Sequence, residues 1–265
     1  MISLTLGLVI GVILALTGAG GGILAVPLLV FGVGIGVAQA GPVGLLAVGL
    51  AAALGTVFGL RAGVVRYRAA ALIAGAGMLV SPAGLWLARQ VDNRWLSILF
   101  ALTLLYVAYN TYRKAREAPG GSDAGSGQGP VCIRERERGR FIWTRPCARA
   151  LSLSGLVAGL LSGLLGVGGG FVMVPALQRY TDLSMQSVVA TSLATIALIS
   201  AAGVLTSAAS GAMNWAIALP FAGGAIAGML GGRAIATRLS GPYLQIGFAA
   251  VSAAVAAGMI GKVLF

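Results

Sequence analysis

Two glycine clusters carry the chain's candidate chemistry: Gly18-x-Gly20-Gly21-Gly22 with Val26-Pro27 behind it, and Gly166-x-Gly168-Gly169-Gly170 with Val174-Pro175 behind it. Glycine lacks a Cβ, so the backbone can turn through positive φ and approach a ligand closely. Where such a run opens a helix, unpaired backbone N–H groups and the positive end of the helix dipole aim at one point, which suits an anion. Neutral side chains follow each cluster: Gln39 after the first, and Gln186, Thr191, Ser192 and Thr195 after the second. Amide and hydroxyl donors match the oxygens of a small oxyanion and hold it only moderately, so that it can leave again. The candidate binding set is therefore Gly18, Gly20, Gly21, Gly22, Pro27 and Gln39, with Gly166, Gly168, Gly169, Gly170, Pro175, Gln186, Thr191 and Ser192. Each has a competing structural use: Thr191 and Ser192 can bond their own helix backbone, and the glutamines can be interfacial.

Other chemistry lacks material. The chain has no histidine and only six Asp+Glu. Asp92, Glu117, Asp123, Glu135, Glu137 and Asp182 all fall in expected loops or in the polar centre of the chain. No catalytic residue, metal site or cofactor is expected, and a conventional proton relay within the membrane has no carrier. Cys132 and Cys147 lie in the basic centre; two reduced cytoplasmic thiols are expected, with a disulfide between them as the alternative.

The elements that must position the clusters are membrane helices. Of 265 residues, 58% are hydrophobic and 9% charged, far from the roughly 25% charged residues of a soluble domain. Apolar segments run over Ser3–Gly34 (broken), Ala40–Leu60, Ala69–Ala88 and Trp95–Tyr112, then Leu151–Leu177 (broken), Ser187–Ser207, Trp215–Ala236 and Tyr243–Phe265. Each unbroken one approaches the roughly 20 residues of a spanning helix, and Trp or Tyr marks several ends. Met1-Ile2-Ser3-Leu4 has no basic n-region, so the first segment reads as a mature membrane segment and not as a signal peptide. The expected fold is an all-α polytopic membrane protein with a first repeat over 1–112, a basic cytoplasmic linker over 113–149 and a second repeat over 150–265. Half of the 18 Lys+Arg lie in that linker. The high charge is thus a juxtamembrane feature, met by anionic lipid or a solvated tether, and nucleic acid is not needed to explain it.

The repeat emerges when the chain is laid on itself at an offset of 148 residues. From Gly7 to Pro27, 11 of 21 positions are identical to Gly155 through Pro175, and the same offset pairs Gly63 with Gly211, Tyr67 with Trp215 and Gly84 with Gly232. Matched, Gly/Pro-interrupted segments in two halves mark a transporter site at the repeat interface. Each broken segment forms either a re-entrant hairpin or one broken crossing. The hairpin makes the halves inverted, placing 15 basic residues inside and three outside (Arg89, Arg94 and Lys262). Positive charge favours the cytoplasmic side, so inverted repeats are expected, each with a re-entrant Gly-rich pair and about three spanning helices. Isolated glycines such as Gly75 and Gly223 are expected to serve tight helix packing.

Gly-x-Gly-Gly-Gly-x-x-x-Val-Pro once in each half resembles the sulfite exporter TauE/SafE family of membrane permeases. The likeness covers both halves but not the linker. It implies a multi-pass protein of the cytoplasmic membrane that moves small sulfur-containing anions such as sulfite, sulfonates or sulfoacetate, often outward. On that reading the partners are a small anion and membrane lipids, with a homo-oligomer left open and no enzymatic activity. A scaffold whose glycines serve packing and whose linker binds lipid is the alternative. The family is commonly polar after the second cluster, where this chain has Gln186, Thr191 and Ser192; the first half has Gln39 but no hydroxyls, which implies a lopsided site.

Overall fold

Glycine marks where many of the helices stop: Gly18, Gly34, Gly63, Gly166 and Gly211 turn at positive φ just past helix ends. The computed structural model describes residues 2–18, 21–117, 132, 144–236 and 242–264. Among them are ten helices: α1 (Ile2–Thr17), α2 (Gly21–Gly32), α3 (Val37–Arg61), α4 (Tyr67–Gln90), α5 (Asn93–Glu117), α6 (Arg145–Leu165), α7 (Gly170–Tyr180), α8 (Met185–Ala209), α9 (Trp215–Ala236) and α10 (Pro242–Leu264). Six of them, α3, α4, α5, α6, α8 and α9, contain stretches long and apolar enough to cross a membrane. Their outer surface carries exposed Tyr67, Trp86, Trp95, Tyr106, Tyr109, Tyr112 and Trp215, the amphipathic rings that favour the headgroup layer. The all-α polytopic class expected from the sequence is the one these helices form. Helix α5 runs on to Glu117 and α6 starts at Arg145, so both extend into the stretch assigned to the linker. Residues 118–131 and 133–143, with the expected lipid-facing segment, lie outside the described residues, as does Gly20.

Each broken segment is a hairpin. A Cβ on Gly21 would lie 2.5–2.9 Å from Leu14, and one on Gly32 would lie 2.5 Å from Leu6 Cδ1. Rising numbers on α2 therefore meet falling numbers on α1. In the second half Thr144 caps α6 by accepting the Cys147 N–H at 3.3 Å. Cys147 is bonded to Cys132 through their sulfurs, with Cα atoms 5.1 Å apart. Cys132 in turn donates its N–H to the Tyr180 carbonyl at 2.9 Å and forms an isolated bridge with Thr181. The start of α6 and the end of α7 are thus tied together. This corrects the expectation of two reduced thiols: the return of α7 brings both cysteines, 15 residues apart in sequence, to one place.

The hairpins pack on the opposite halves. Cβ atoms on Gly7, Gly11, Gly224 and Gly228 would fall on the backbone between α1 and α9, and those on Gly84, Gly155, Gly159 and Gly163 on the backbone between α4 and α6. Spacing of four residues puts these glycines on one helix face, where small residues let backbones touch. Gly75 and Gly223 behave otherwise: nothing lies within 4 Å of a Cβ at either. Their expected packing role is corrected, because they point away from both zippers. Substitution should separate the two classes. Gly159→Leu is expected to abolish the monodisperse folded protein, its side chain landing on the Gly77 backbone, whereas Gly223→Ala should be neutral or stabilising by about 0.5–1 kcal/mol. Thermal denaturation in detergent with size-exclusion chromatography reads both.

Candidate functional site

The two glycine turns are built differently. In the first, the Gly18 N–H donates to the Leu14 carbonyl at 2.8 Å, and Gly18 turns at φ +76°. Thr17 Oγ1 donates to the Ile13 carbonyl at 2.8 Å and accepts the Gly21 N–H at 3.2 Å, so this threonine ends one helix and starts the next. The second turn has Leu165 in that place and relies on three left-handed glycines, Gly166, Gly168 and Gly169, at φ +69°, +78° and +70°. Gly166 closes α6 with its N–H on the Ser162 carbonyl at 2.8 Å, and Gly169 caps α7. The first N–H groups of α2 and α7 have no partner inside their helices, as at any helix start. Pro27 and Pro175 lie inside α2 and α7, each removing the donor that a carbonyl four residues earlier would otherwise use.

Both turns dock between α3 and α8, and they meet there. A Cβ on Gly166 would fall on Gly41 of α3, while one on Gly18 would fall on the Val189 side chain of α8. Val189 stands 148 residues after Gly41, so the two docking positions are repeat mates. Near the middle of the long helices, a Cβ on Gly22 would lie 2.6 Å from the Val167 carbonyl oxygen and 3.2 Å from Val48 Cγ1. A Cβ on Gly168 would lie 3.4 Å from the same Val48 atom, 2.9 Å from Ile196 Cγ2 and 3.0 Å from Ser200 Oγ. All described members of the two clusters are buried.

The other candidates divide. Thr191, Ser192 and Thr195 are fully buried on α8. Ser192 donates to the Val189 carbonyl at 2.8 Å and Thr195 to the Thr191 carbonyl at 3.0 Å, the self-bonding use. Thr191 Oγ1 accepts the Arg66 backbone N–H at 3.1 Å. Gln39 and Gln186 are exposed in the first turns of α3 and α8 and are not brought to the buried turns. Pro27 is buried and Pro175 half-buried.

Two groups escaped sequence reasoning. Arg66 was not among the candidates, yet its backbone N–H donates to Thr191 and its side-chain Nε is buried without a hydrogen-bond partner. Ser200 is fully buried, and its hydroxyl also has no partner. The repeat carried a signal for Ser200: the residue 148 positions earlier is Ala52.

A family model described as Sulfite exporter TauE/SafE matches residues 3–259. A "Probable membrane transporter protein" of Xylella fastidiosa (strain Temecula1 / ATCC 700964) is 30% identical over 235 residues, covering 88% of this chain and 84% of that protein. The "Probable membrane transporter protein YunE" of Bacillus subtilis (strain 168) is 26% identical over 242 residues, covering 85% and 84%. No solved structure matches the chain.

The docking contacts predict unequal tolerance at Gly18 and Gly166. Gly166→Ala combines the left-handed conformation, about 1–2 kcal/mol, with overpacking against backbone, about 1–3 kcal/mol. Gly18→Ala carries the same left-handed cost, since Gly18 also turns at positive φ, but it presses on the Val189 side chain, whose two methyl groups Val189→Ala removes. Thermal denaturation should show the larger loss for Gly166→Ala. In a double-mutant cycle Val189→Ala should restore part of the Gly18→Ala loss and none of the Gly166→Ala loss.

Proposed function

The chain belongs to the sulfite exporter TauE/SafE family, and from that premise we propose that it is a permease moving small sulfur-containing anions of the sulfite, sulfonate or sulfoacetate class out across the cytoplasmic membrane. The family and its relatives make it a membrane transporter; substrate class and direction are our reading. The observation that carries this reading is the meeting of Gly22 with the Val167–Gly168 turn between α3 and α8. Two helix starts converge there, inside the protein and at mid-depth, where irregular backbone is tolerated only if protein or a substrate path covers it. Backbone donors and helix dipoles favour an anion over a cation. Of the three carboxylates among the described residues, Asp92 and Asp182 lie between helices and are exposed, and Glu117 is the last residue of α5, which favours facilitated movement down an anion gradient over a buried proton relay.

Proteoliposomes loaded in turn with sulfite, thiosulfate, sulfoacetate, methanesulfonate and sulfate test this. Efflux of at least one sulfur oxyanion well above that from empty liposomes is expected. For a permanently ionised sulfonate it should be unaltered by an imposed proton gradient. Absence of flux for the whole panel refutes the proposal.

We read the two halves as inverted repeats, 1–112 and 150–265, with their basic ends in the cytoplasm. Both hairpins support this. So does the placement of Arg66 beside Thr191 and of Arg233 over the Phe58 ring at 4.3 Å, with Arg89 donating to Ser210 at the opposite end. Ala62 and Ser210 are repeat mates, both exposed. In intact cells a membrane-impermeant maleimide should label Ser210→Cys and spare Ala62→Cys; equal labelling would mean parallel halves.

A further inference from the structure

Helix α8 contains a run of buried hydroxyls, and nearly all of them are accounted for. Ser192, Thr195 and Ser207 donate to carbonyls of their own helix, to Val189, Thr191 and Gly203 respectively. Ser187 accepts from Ser184, and Thr191 accepts from Arg66. Such back-bonding is the ordinary fate of serine and threonine inside a membrane helix. Ser200 departs from it. It is 0% exposed, it makes no bond to its helix, and its Oγ stands beside the Gly168 turn, 3.0 Å from where a Cβ on Gly168 would lie. A buried hydroxyl without a partner is unfavourable, and this one stands where the two glycine turns and α3 converge.

We propose that Ser200 is a substrate ligand: its hydroxyl donates to an oxygen of the transported anion as the anion lies against the Gly168 turn. This rests on the permease reading above and gives its site a side. Across the repeat, Ala52 holds the corresponding position, fully buried and without a hydroxyl, so the anion's side-chain contact comes from the second half. The ligand class follows from the donors. A hydroxyl and backbone N–H groups carry no net charge, and the cost of removing an ion from water rises with the square of its charge. The site therefore takes a singly charged group with several acceptor oxygens, such as a sulfonate, in preference to a doubly charged group such as sulfate.

The test is transport by Ser200→Ala in proteoliposomes, with methanesulfonate and sulfate as probes. Removing an orphaned hydroxyl leaves folding intact, so thermal stability should hold or rise while the half-saturating methanesulfonate concentration increases about ten- to hundred-fold, the effect of one hydrogen bond to a charged group. Ser200→Cys, a weaker donor of similar size, should fall between. Ser252→Ala is the control, since Ser252 is another buried hydroxyl without a partner but sits on α10. It should match the stability change and leave transport unaltered. Wild-type half-saturation in Ser200→Ala, or sulfate taken as well as methanesulfonate by the unaltered protein, overturns the assignment while leaving the permease reading standing. Failure of the unaltered protein to move any sulfur oxyanion overturns both.

Discussion

A helix that stops partway through hydrocarbon leaves backbone donors and acceptors that lipid cannot satisfy, and the architecture answers that constraint. Three of the four hairpin arms are too short to cross alone, 16 and 12 residues for α1 and α2 and 11 for α7, while α6 with 21 is long enough. Their turns must therefore be covered by protein. The cover is α3 and α8, which stand against Gly166 and Gly18 at equivalent positions. The arms themselves are covered by α9 and α4 through backbone-to-backbone glycine contacts. Without side-chain-free surfaces at these places the turns could not be reached closely enough to exclude lipid.

The same solution is used twice, but the two uses are not equal. The first turn is held by Thr17 bonds and the second by three left-handed glycines. The first long wall, α3, offers Val43, Ala47, Val48 and Ala52 to the interior, whereas α8 offers Thr191, Ser192, Thr195 and Ser200. The two walls thus share a backbone plan and differ in their chemistry. Polar groups on one wall only are consistent with a ligand that needs few bonds and must be released.

Much of this could be read from the chain itself. The 148-residue offset exposes the two halves because the constraint on each turn falls on backbone conformation, which only glycine satisfies, and that leaves a visible pattern. The hairpin was legible through charge, since it leaves only Arg89, Arg94 and Lys262 on the outer side. What stayed hidden was partner choice. Gly75 and Gly223 look no different in sequence from Gly77 and Gly224, yet only the latter pair meets a neighbouring helix. Which face touches which helix depends on long-range packing, and local spacing does not encode it. The cysteine pair stayed hidden for the same reason, because it depends on α7 returning to the start of α6. Ser200 was passed over because a single hydroxyl in an apolar run carries no local signal; its contrast with Ala52 gains meaning only once packing sets it, without a hydrogen bond, beside the Gly168 turn.

The exchange of partners between halves has a consequence for how the chain is made. Helix α1 begins at Ile2 and α9 at Trp215, so at roughly 5–20 residues per second α1 waits about 10–40 s for its neighbour to leave the ribosome. Over that interval a hairpin with an unsatisfied turn stands in the bilayer or beside the insertion machinery with its glycine face bare. Helix α6 has no such delay, since α4 is already in place when it emerges. The α1–α2 hairpin is therefore the one that waits longest for its packing partner, and its contacts are complete only after α9 has been synthesised.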